Sequence, residues 1–83
     1  MRVAIRPKAD KYLKRLSEPI RTRIAVAIDN LSKEPPQGDI KPLNGKFNEY
    51  RIRIGSYRIL FEIENECIYV YEIGLRGQIY KGR

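Results

Sequence analysis

Residues 50–61 constrain the fold more than any other part of the chain. Apolar and polar residues alternate along this stretch, which predicts strands with one buried and one open face. Gly55 and Ser56 interrupt the alternation and predict a two-residue hairpin turn, because glycine tolerates the positive φ that such turns need. The turn fixes the register of the hairpin and places Arg53 directly opposite Arg58.

The predicted register gives the hairpin two chemically different faces. One face is apolar and would lie in the core; it carries Tyr50, Ile52, Ile54, Tyr57, Ile59 and Phe61. The other face is open, and it carries Arg51, Arg53, Arg58 and Leu60. Two arginines directly across a ladder repel each other and cost stability. We therefore expect an anion to bind between Arg53 and Arg58.

The residues before the hairpin predict one short strand, residues 2–6, and two helices. The first helix begins at Pro7, and its apolar stripe comprises Ala9, Tyr12, Leu13 and Leu16. Ser17 suits the N-cap of the second helix, and Pro35 and Pro36 end it. The apolar stripe of that helix comprises Ile20, Ile24, Ala27, Ile28 and Leu31. The sequence thus predicts an α+β fold: a short N-terminal strand and a two-helix hairpin packed on a twisted antiparallel sheet.

After the second helix, residues 37–49 are predicted to form a connector, pinned by Ile40, Leu43 and Phe47. Residues 67–75 predict the strand that follows the hairpin. A three-residue turn at residues 64–66 would place Glu72 beside Arg58. A two-residue turn would bury Glu72 beneath the helices, and an unpaired buried carboxylate is costly, so we expect the longer turn. Residues 76–81 are expected to form a tail with a short edge strand.

The charge of the chain is unusual for its size. With 83 residues it has the length of one domain, which we expect to span residues 1–83. It carries 17 basic and 10 acidic residues, for a net charge of +7. So basic a domain is expected to bind nucleic acid, an anionic surface or an acidic protein. The alternative is that the charge serves solubility alone.

The remaining composition excludes several kinds of chemistry. Cys67 is the one cysteine, which excludes an internal disulfide framework and fits a reducing compartment; we expect it to act as a small buried hydrophobe. The chain has no histidine, so zinc sites of Cys and His and Ser-His-Asp catalysis lack their essential groups. We expect neither a metal nor a cofactor. The sequence has no signal peptide and no apolar run of membrane length, which predicts a cytoplasmic protein that does not bind membranes.

Four motifs together resemble the RelE/ParE toxin superfamily. They are Lys-Pro-Leu-Asn-Gly at 41–45, Tyr-Arg-Ile-Arg-Ile-Gly-Ser-Tyr-Arg at 50–58, Ile-Gly-Leu-Arg at 73–76 and Ile-Tyr-Lys at 79–81. The resemblance covers nearly the whole chain and implies the same order of strand, two helices and sheet. It also implies a toxin that is neutralised by an acidic RelB-like antitoxin encoded nearby.

The two branches of this superfamily differ in target. RelE-like toxins cleave messenger RNA in the ribosomal A site, whereas ParE-like toxins inhibit DNA gyrase and lack the nuclease residues. For a RelE-like nuclease, the resemblance implies catalytic roles for Arg58, Arg76 and Tyr80. It implies that Arg51 and Arg53 hold flanking phosphates. We expect Lys41, Lys46 and Lys81 to add RNA-binding charge beside them, although Lys41 and Lys46 could equally be solvated loop lysines. The presence of this set favours the nuclease branch.

Two departures from the family pattern leave alternatives open. RelE itself has lysines in place of Arg51 and Arg53, and many relatives have a histidine in place of Leu75. A ParE-like gyrase inhibitor, or an inactive module that binds RNA or the antitoxin, therefore remains an alternative.

The reaction that the resemblance implies is attack of a 2′-hydroxyl on the adjacent phosphate. Guanidinium forks match phosphate oxygens, so Arg58 and Arg76 would stabilise the developing charge. Arginine, with a pKa above about 12, is a poor base, and a tyrosine of pKa about 10 is ionised to roughly one part in a thousand at pH 7. Tyr80 would need cationic surroundings to accept a proton, or it could stack on a base instead. We expect catalysis by positioning, with the ribosome supplying part of the site.

Overall fold

The computed structural model describes residues 1–79, which form one five-stranded sheet with helices. In chain order the elements are β1 (Arg2–Ile5), α1 (Pro7–Arg15), α2 (Ile20–Asp29), a 3₁₀ turn (Asn30–Ser32), β2 (Ile40–Pro42), β3 (Glu49–Ile54), β4 (Tyr57–Glu64), β5 (Cys67–Leu75) and α3 (Arg76–Ile79). The predicted α+β class is confirmed. None of the helices within residues 1–79 has the length and apolarity needed to cross a membrane.

The strands are ordered β1-β5-β4-β3-β2 across the sheet. The strands from β2 to β5 pair antiparallel, because turns and a short loop join them in sequence. The antiparallel pairing of β3, β4 and β5 was predicted. β1 differs from that prediction: it pairs with β5 in parallel, with Val3 opposite Ile68. The sheet is therefore mixed, since the chain leaves β1 through two helices before it returns to the sheet.

The β3–β4 hairpin has the predicted register. Gly55 has a φ of +55°, and Ile52 lies opposite Ile59. Arg53 lies opposite Arg58, as the alternation predicted. The turn therefore separates an apolar face from an arginine-bearing face, and each strand contributes to both.

The helices cover the apolar face. α1 packs on β5, and α2 packs on β3. The buried core comes from both helical stripes and from the inward residues of three strands; its members are Ala9, Leu13, Ile24, Ala27, Ile28, Leu31, Ile52, Ile59, Phe61, Ile68, Val70 and Ile73. Ser17 does not cap α2, contrary to prediction: the helix begins at Ile20, with Pro19 in the N-cap position and no side-chain cap.

The β4–β5 pairing differs from the prediction. The turn has two residues, Asn65 and Glu66, both with positive φ, and Phe61 lies opposite Val70 rather than Tyr69. A bulge at Tyr71 then shifts the register by one residue, so that Glu72 lies opposite Leu60. The bulge moves Glu72 off the core face. A two-residue turn therefore does not bury the Glu72 carboxylate beneath the helices, which was the reason for expecting the longer turn.

Two other segments also differ from prediction. The connector contains the edge strand β2, which pairs with β3, and the tail begins as the helical turn α3 instead of a strand. Phe47 does not pin the connector, because it is 89% exposed. α3 packs on β4 and β5, and a Cβ added at Gly74 would lie only 3.4 Å from Ile79. Gly74 therefore leaves the space that Ile79 occupies.

The β4–β5 turn provides a test of the observed register. Glu66 has a φ of +61°, a conformation that costs a residue with a Cβ roughly 1 kcal/mol. We expect Glu66→Gly to stabilise the protein by up to about 1 kcal/mol, or roughly 4–8 °C in Tm. The matched control is Glu64→Gly, in β4, which should lose about 0.5–1 kcal/mol. Thermal unfolding of both variants is the measurement, and a destabilised Glu66→Gly would contradict this turn.

Candidate nucleic-acid interface

The sheet face opposite the helices carries a cluster of arginines, and we call it the arginine face. Arg53 and Arg58 face each other across β3 and β4, while Arg51 lies opposite Leu60. On the edge strand, Lys41 lies opposite Arg51 and is exposed. Four of the predicted RNA-binding or catalytic residues therefore share one face of the sheet.

Asp39, which precedes β2, supplies an anion to this face. Its carboxylate accepts a hydrogen bond of 2.7 Å from Nε of Arg53 and lies 3.6 Å from Nη1 of Arg51. Its carbonyl oxygen accepts from the Arg53 N–H at 3.1 Å and from Nη1 of Arg51 at 3.0 Å. Asp39 is thus an anion between Arg53 and Arg51, and not the anion that was expected between Arg53 and Arg58.

Arg51 and Arg53 differ in exposure, which separates their roles. The Arg51 side chain is only 16% exposed, and both of its described contacts go to Asp39. Arg51 therefore ties the connector to the sheet. The Arg53 side chain is 55% exposed, and Asp39 engages its Nε, at the base of the guanidinium fork. Arg53 is thus the better placed of the two to contact an external anion.

Arg58 turns toward the hairpin turn. Its Nη1 donates hydrogen bonds of 2.9 Å to the carbonyls of Gly55 and Tyr57. It is only 7% exposed, and it is the one charged residue within residues 1–79 to be so buried. Arg53 is thus paired with a carboxylate before β2, and Arg58 with two carbonyls at the turn. This arrangement reduces the repulsion that the register imposes.

The other predicted site residues have varied placements. Arg76 is exposed, and its backbone N–H donates to the Ser56 carbonyl at 2.8 Å, which holds the start of α3 beside the hairpin turn. Lys46 is exposed in the β2–β3 loop. Tyr80 and Lys81 lie outside the described residues, so the structure does not test their predicted roles.

Glu72 does not lie beside Arg58 as predicted, because the bulge places Gly74 opposite Arg58. Glu72 pairs instead with Lys8 of α1, at 3.6 Å. No carboxylate is therefore recorded against Arg58 within residues 1–79, and the pairing expected to steady it is replaced by the two turn carbonyls.

The opposite end of the same face is acidic. Glu49 lies directly opposite Glu62, a like-charge pair that mirrors Arg53 and Arg58. Each glutamate has a partner: the Tyr71 hydroxyl donates to Glu49 at 2.6 Å, and Arg6 donates to Glu62 at 3.2 Å. The face is thus basic near the hairpin turn and acidic near the β4–β5 turn.

Two functional candidates were missed from the sequence. Asp39 lies in a connector without periodicity, so nothing local signals its pairing with residues more than ten positions away. Arg23 lies on α2, yet its Nη2 would be 3.9 Å from a Cβ added at Gly55. It therefore adds positive charge beside the hairpin turn. The packing of α2 on β3 creates this proximity.

The described residues of the arginine face offer positively charged groups for chemistry. Guanidinium groups can bind and stabilise phosphate oxygens, but they do not accept protons at neutral pH. No group of His, Cys, Asp and Glu able to hold a metal ion was found among residues 1–79. The arrangement is suited to orienting a phosphodiester and to offsetting its charge.

Comparison with known proteins identifies similar chains. Residues 3–80 match the family described as ParE toxin of type II toxin-antitoxin system, parDE. Toxin RelE3 of Methanocaldococcus jannaschii is 35% identical over 74 residues, which are 84% of each chain.

Two solved structures have the same fold. A RelB-RelE antitoxin-toxin complex from Methanococcus jannaschii gives a TM-score of 0.77 at 33% identity, covering 92% of this chain and 93% of that one. An archaeal RelE-RelB complex from Pyrococcus horikoshii OT3 gives 0.76 at 27% identity, covering 93% and 96%. The likeness extends over nearly the full length of each chain.

The Asp39 contacts predict a pH dependence of stability. Partial burial acts to raise the pKa of the Asp39 carboxyl, but the hydrogen bond and charge of Arg53, helped by Arg51, outweigh it and hold that pKa below its ordinary 3.8. Because the folded pKa is the lower one, the stabilisation is complete above the ordinary value and is lost as the pH falls through the folded value. Urea unfolding should therefore show a smaller difference between wild type and Asp39→Asn near pH 2 than near pH 6. The exposed Asp29→Asn is the control, and a difference that is constant with pH would contradict the pairing.

Proposed function

The chain belongs to the RelE/ParE superfamily of toxins of type II toxin–antitoxin systems, and on this premise we propose that it is the toxin of a RelBE-type pair and cleaves messenger RNA on the ribosome. The observation that carries the proposal is the direct opposition of Arg53 and Arg58 at the basic end of the sheet, with Arg76 beside the same turn. The similarity to Toxin RelE3 supports the nuclease branch.

The proposed reaction is an in-line displacement within the RNA. The 2′-oxygen forms a bond to the adjacent phosphorus, and the bond from phosphorus to the 5′-oxygen breaks. The 2′-hydroxyl loses its proton and the 5′-oxygen gains one, which leaves a 2′,3′-cyclic phosphate and a 5′-hydroxyl. Charge develops on the phosphate oxygens, and fixed cations at this point lower the barrier.

The described contacts suggest how the arginines divide this work. Arg58 is held rigidly by two carbonyls, and rigid placement suits a group that must stabilise charge without reorganising. Arg76 is exposed and stands beside the same turn, where it can bind the opposite side of the phosphate. Arg53, Lys41 and Lys46 would contact flanking phosphates, together with Lys81.

Proton transfer is assigned to Tyr80, or to groups of the ribosome. The described part of the chain places no carboxylate against Arg58, since Glu72 pairs with Lys8 and Asp39 pairs with Arg53. A complete acid–base pair within the toxin is therefore unsupported, and catalysis by orientation and charge accounts better for the residues present.

A second candidate function has a specific observation in its favour. The family that matches residues 3–80 is described as the ParE toxin of parDE systems. On that alternative the arginine face would bind a protein target, DNA gyrase, without chemistry of its own. The two candidates differ in what the purified toxin does to programmed ribosomes and to gyrase.

We also propose that an acidic RelB-like antitoxin, encoded nearby, neutralises the toxin. The solved relatives are complexes of RelE with RelB, and the net charge of +7 suits an acidic partner. Antitoxin segments that fold on binding can cover a large surface with a short chain. Coverage of the arginine face would block the proposed RNA site.

The catalytic proposal is tested best at Arg76. Within residues 1–79 its recorded hydrogen bond uses the backbone N–H, so Arg76→Ala removes the charge while leaving that bond in place. We expect the single-turnover rate of cleavage on programmed ribosomes to fall roughly a hundred- to a thousandfold, with a smaller loss of ribosome affinity. Mapping of 5′-hydroxyl ends on the product identifies the reaction.

The matched control is Arg15→Ala, which removes the same charge from α1, in the helical layer. This variant should cleave at nearly the wild-type rate. Tyr80→Phe separates a proton-transfer role, which fails without the hydroxyl, from stacking, which survives. Gyrase inhibition by the wild type, with no cleavage on ribosomes, would replace the nuclease assignment by the ParE-like one.

The antitoxin proposal predicts charge-steered association. The rate constant for binding the acidic protein of the adjacent reading frame should fall at least tenfold between low and physiological salt, while the dissociation rate changes less. Stopped-flow fluorescence measures both rates. An association rate that is insensitive to salt would mean that charge does not organise this encounter.

A further inference from the structure

Asp39 occupies a position in which an RNA phosphate would compete with it. Its carboxylate contacts Arg53 at 2.7 Å and lies 3.6 Å from Arg51, so one anion already bridges two cations on the arginine face. A phosphate that binds the same guanidinium groups would be repelled by the Asp39 carboxylate, which already contacts them. The RNA-binding surface is thus partly neutralised within the chain itself.

We propose that Asp39 is an internal counter-ion that weakens the binding of free RNA, so that the arginine face exchanges this carboxylate for a phosphate when it engages its substrate. The inference rests on the proposed RNA-binding function and concerns its specificity. Asp39 touches neither the reacting atoms nor the proposed catalytic arginines, and it acts through Arg53 and Arg51.

The structure favours competition over a purely supporting role for Asp39. The Asp39 side chain is 38% exposed and that of Arg53 is 55% exposed, so the pair lies where an incoming polyanion can reach it. The backbone bond from the Arg53 N–H to the Asp39 carbonyl holds the connector in place without the carboxylate. The carboxylate can therefore release Arg53 while β2 remains paired to β3.

Competition has a signature in the salt dependence of binding. Each phosphate that a protein neutralises releases counterions, which contributes about 0.7 to the slope of log affinity against log salt for single-stranded RNA. When Arg53 leaves Asp39 for a phosphate, the freed carboxylate takes up a cation and cancels part of that release. Removing the carboxylate charge should restore the missing contribution.

The experiment measures binding of a short single-stranded oligouridylate to the full chain by fluorescence anisotropy over a range of potassium chloride concentrations. Asp39→Asn keeps an oxygen that can accept from Arg53 but removes the charge. We expect it to bind about three- to tenfold more tightly at low salt, with a slope steeper by up to about 0.7. Asp39→Glu, which keeps the charge, should behave like the wild type.

The matched control is Asp29→Asn, which makes the same change in net charge at the exposed end of α2, in the helical layer. It should leave the slope unchanged. A second measurement guards against a folding defect. Inorganic phosphate should raise the Tm of Asp39→Asn more than that of the wild type, because no carboxylate then competes with phosphate for Arg53.

The outcomes discriminate clearly. Weaker binding by Asp39→Asn would overturn the proposal and indicate that Asp39 only orients the arginines. A slope equal to that of Asp29→Asn, or an absence of RNA binding by every variant, would overturn it as well. Cleavage on programmed ribosomes by the wild type is measured separately and tests the proposed function. The proposed function can therefore stand when this inference fails, and a failure of the proposed function would appear in the cleavage assay.

Discussion

The pairing of β3 with β4 is the constraint on which the rest of the molecule depends. A two-residue turn with Gly55 at a φ of +55° sets one register, and that register sends every second side chain to the core. The helices bury the apolar face, and the arginines are left on the other. A slip of one residue would place arginines beneath the helices, where unpaired charge is costly. Core packing therefore enforces the placement of the site, although the site itself contributes repulsion.

Much of the fold could be predicted because its signals are local. The alternation around Gly55 predicted the hairpin register, and the apolar stripes predicted both helices. The β4–β5 register was wrong because a bulge at Tyr71 lets a short turn and an outward Glu72 coexist, and no local pattern announces a bulge. The parallel pairing of β1 was missed because it joins distant parts of the chain, with Arg2 opposite Cys67. The edge strand β2 was missed because it has only three residues, one of them Pro42, and carries no alternating pattern.

The sequence predicted which cations form the candidate site, but it did not predict which groups pair with them. The alternation and the two-residue turn together placed Arg53 opposite Arg58, and repulsion between them led to the expectation of an anion between the two. The sequence could not reveal that Asp39 pairs with Arg53 and Arg51 instead, because that contact joins a connector to a strand. It also could not reveal that Arg58 is only 7% exposed or that it donates to the turn carbonyls. The roles of Tyr80 and Lys81 remain predictions.

The opposed like-charge pairs at the two ends of the arginine face give it an electric dipole along β3. Glu49 and Glu62 stand four residues from Arg53 and Arg58, a separation of about 13 Å at the usual rise per residue. A polyanion approaching this face would exert a torque that turns the hairpin turn toward it before contact. The acidic end would be repelled at the same time, so the charge pattern favours approach of a polyanion to the end of the face at the hairpin turn.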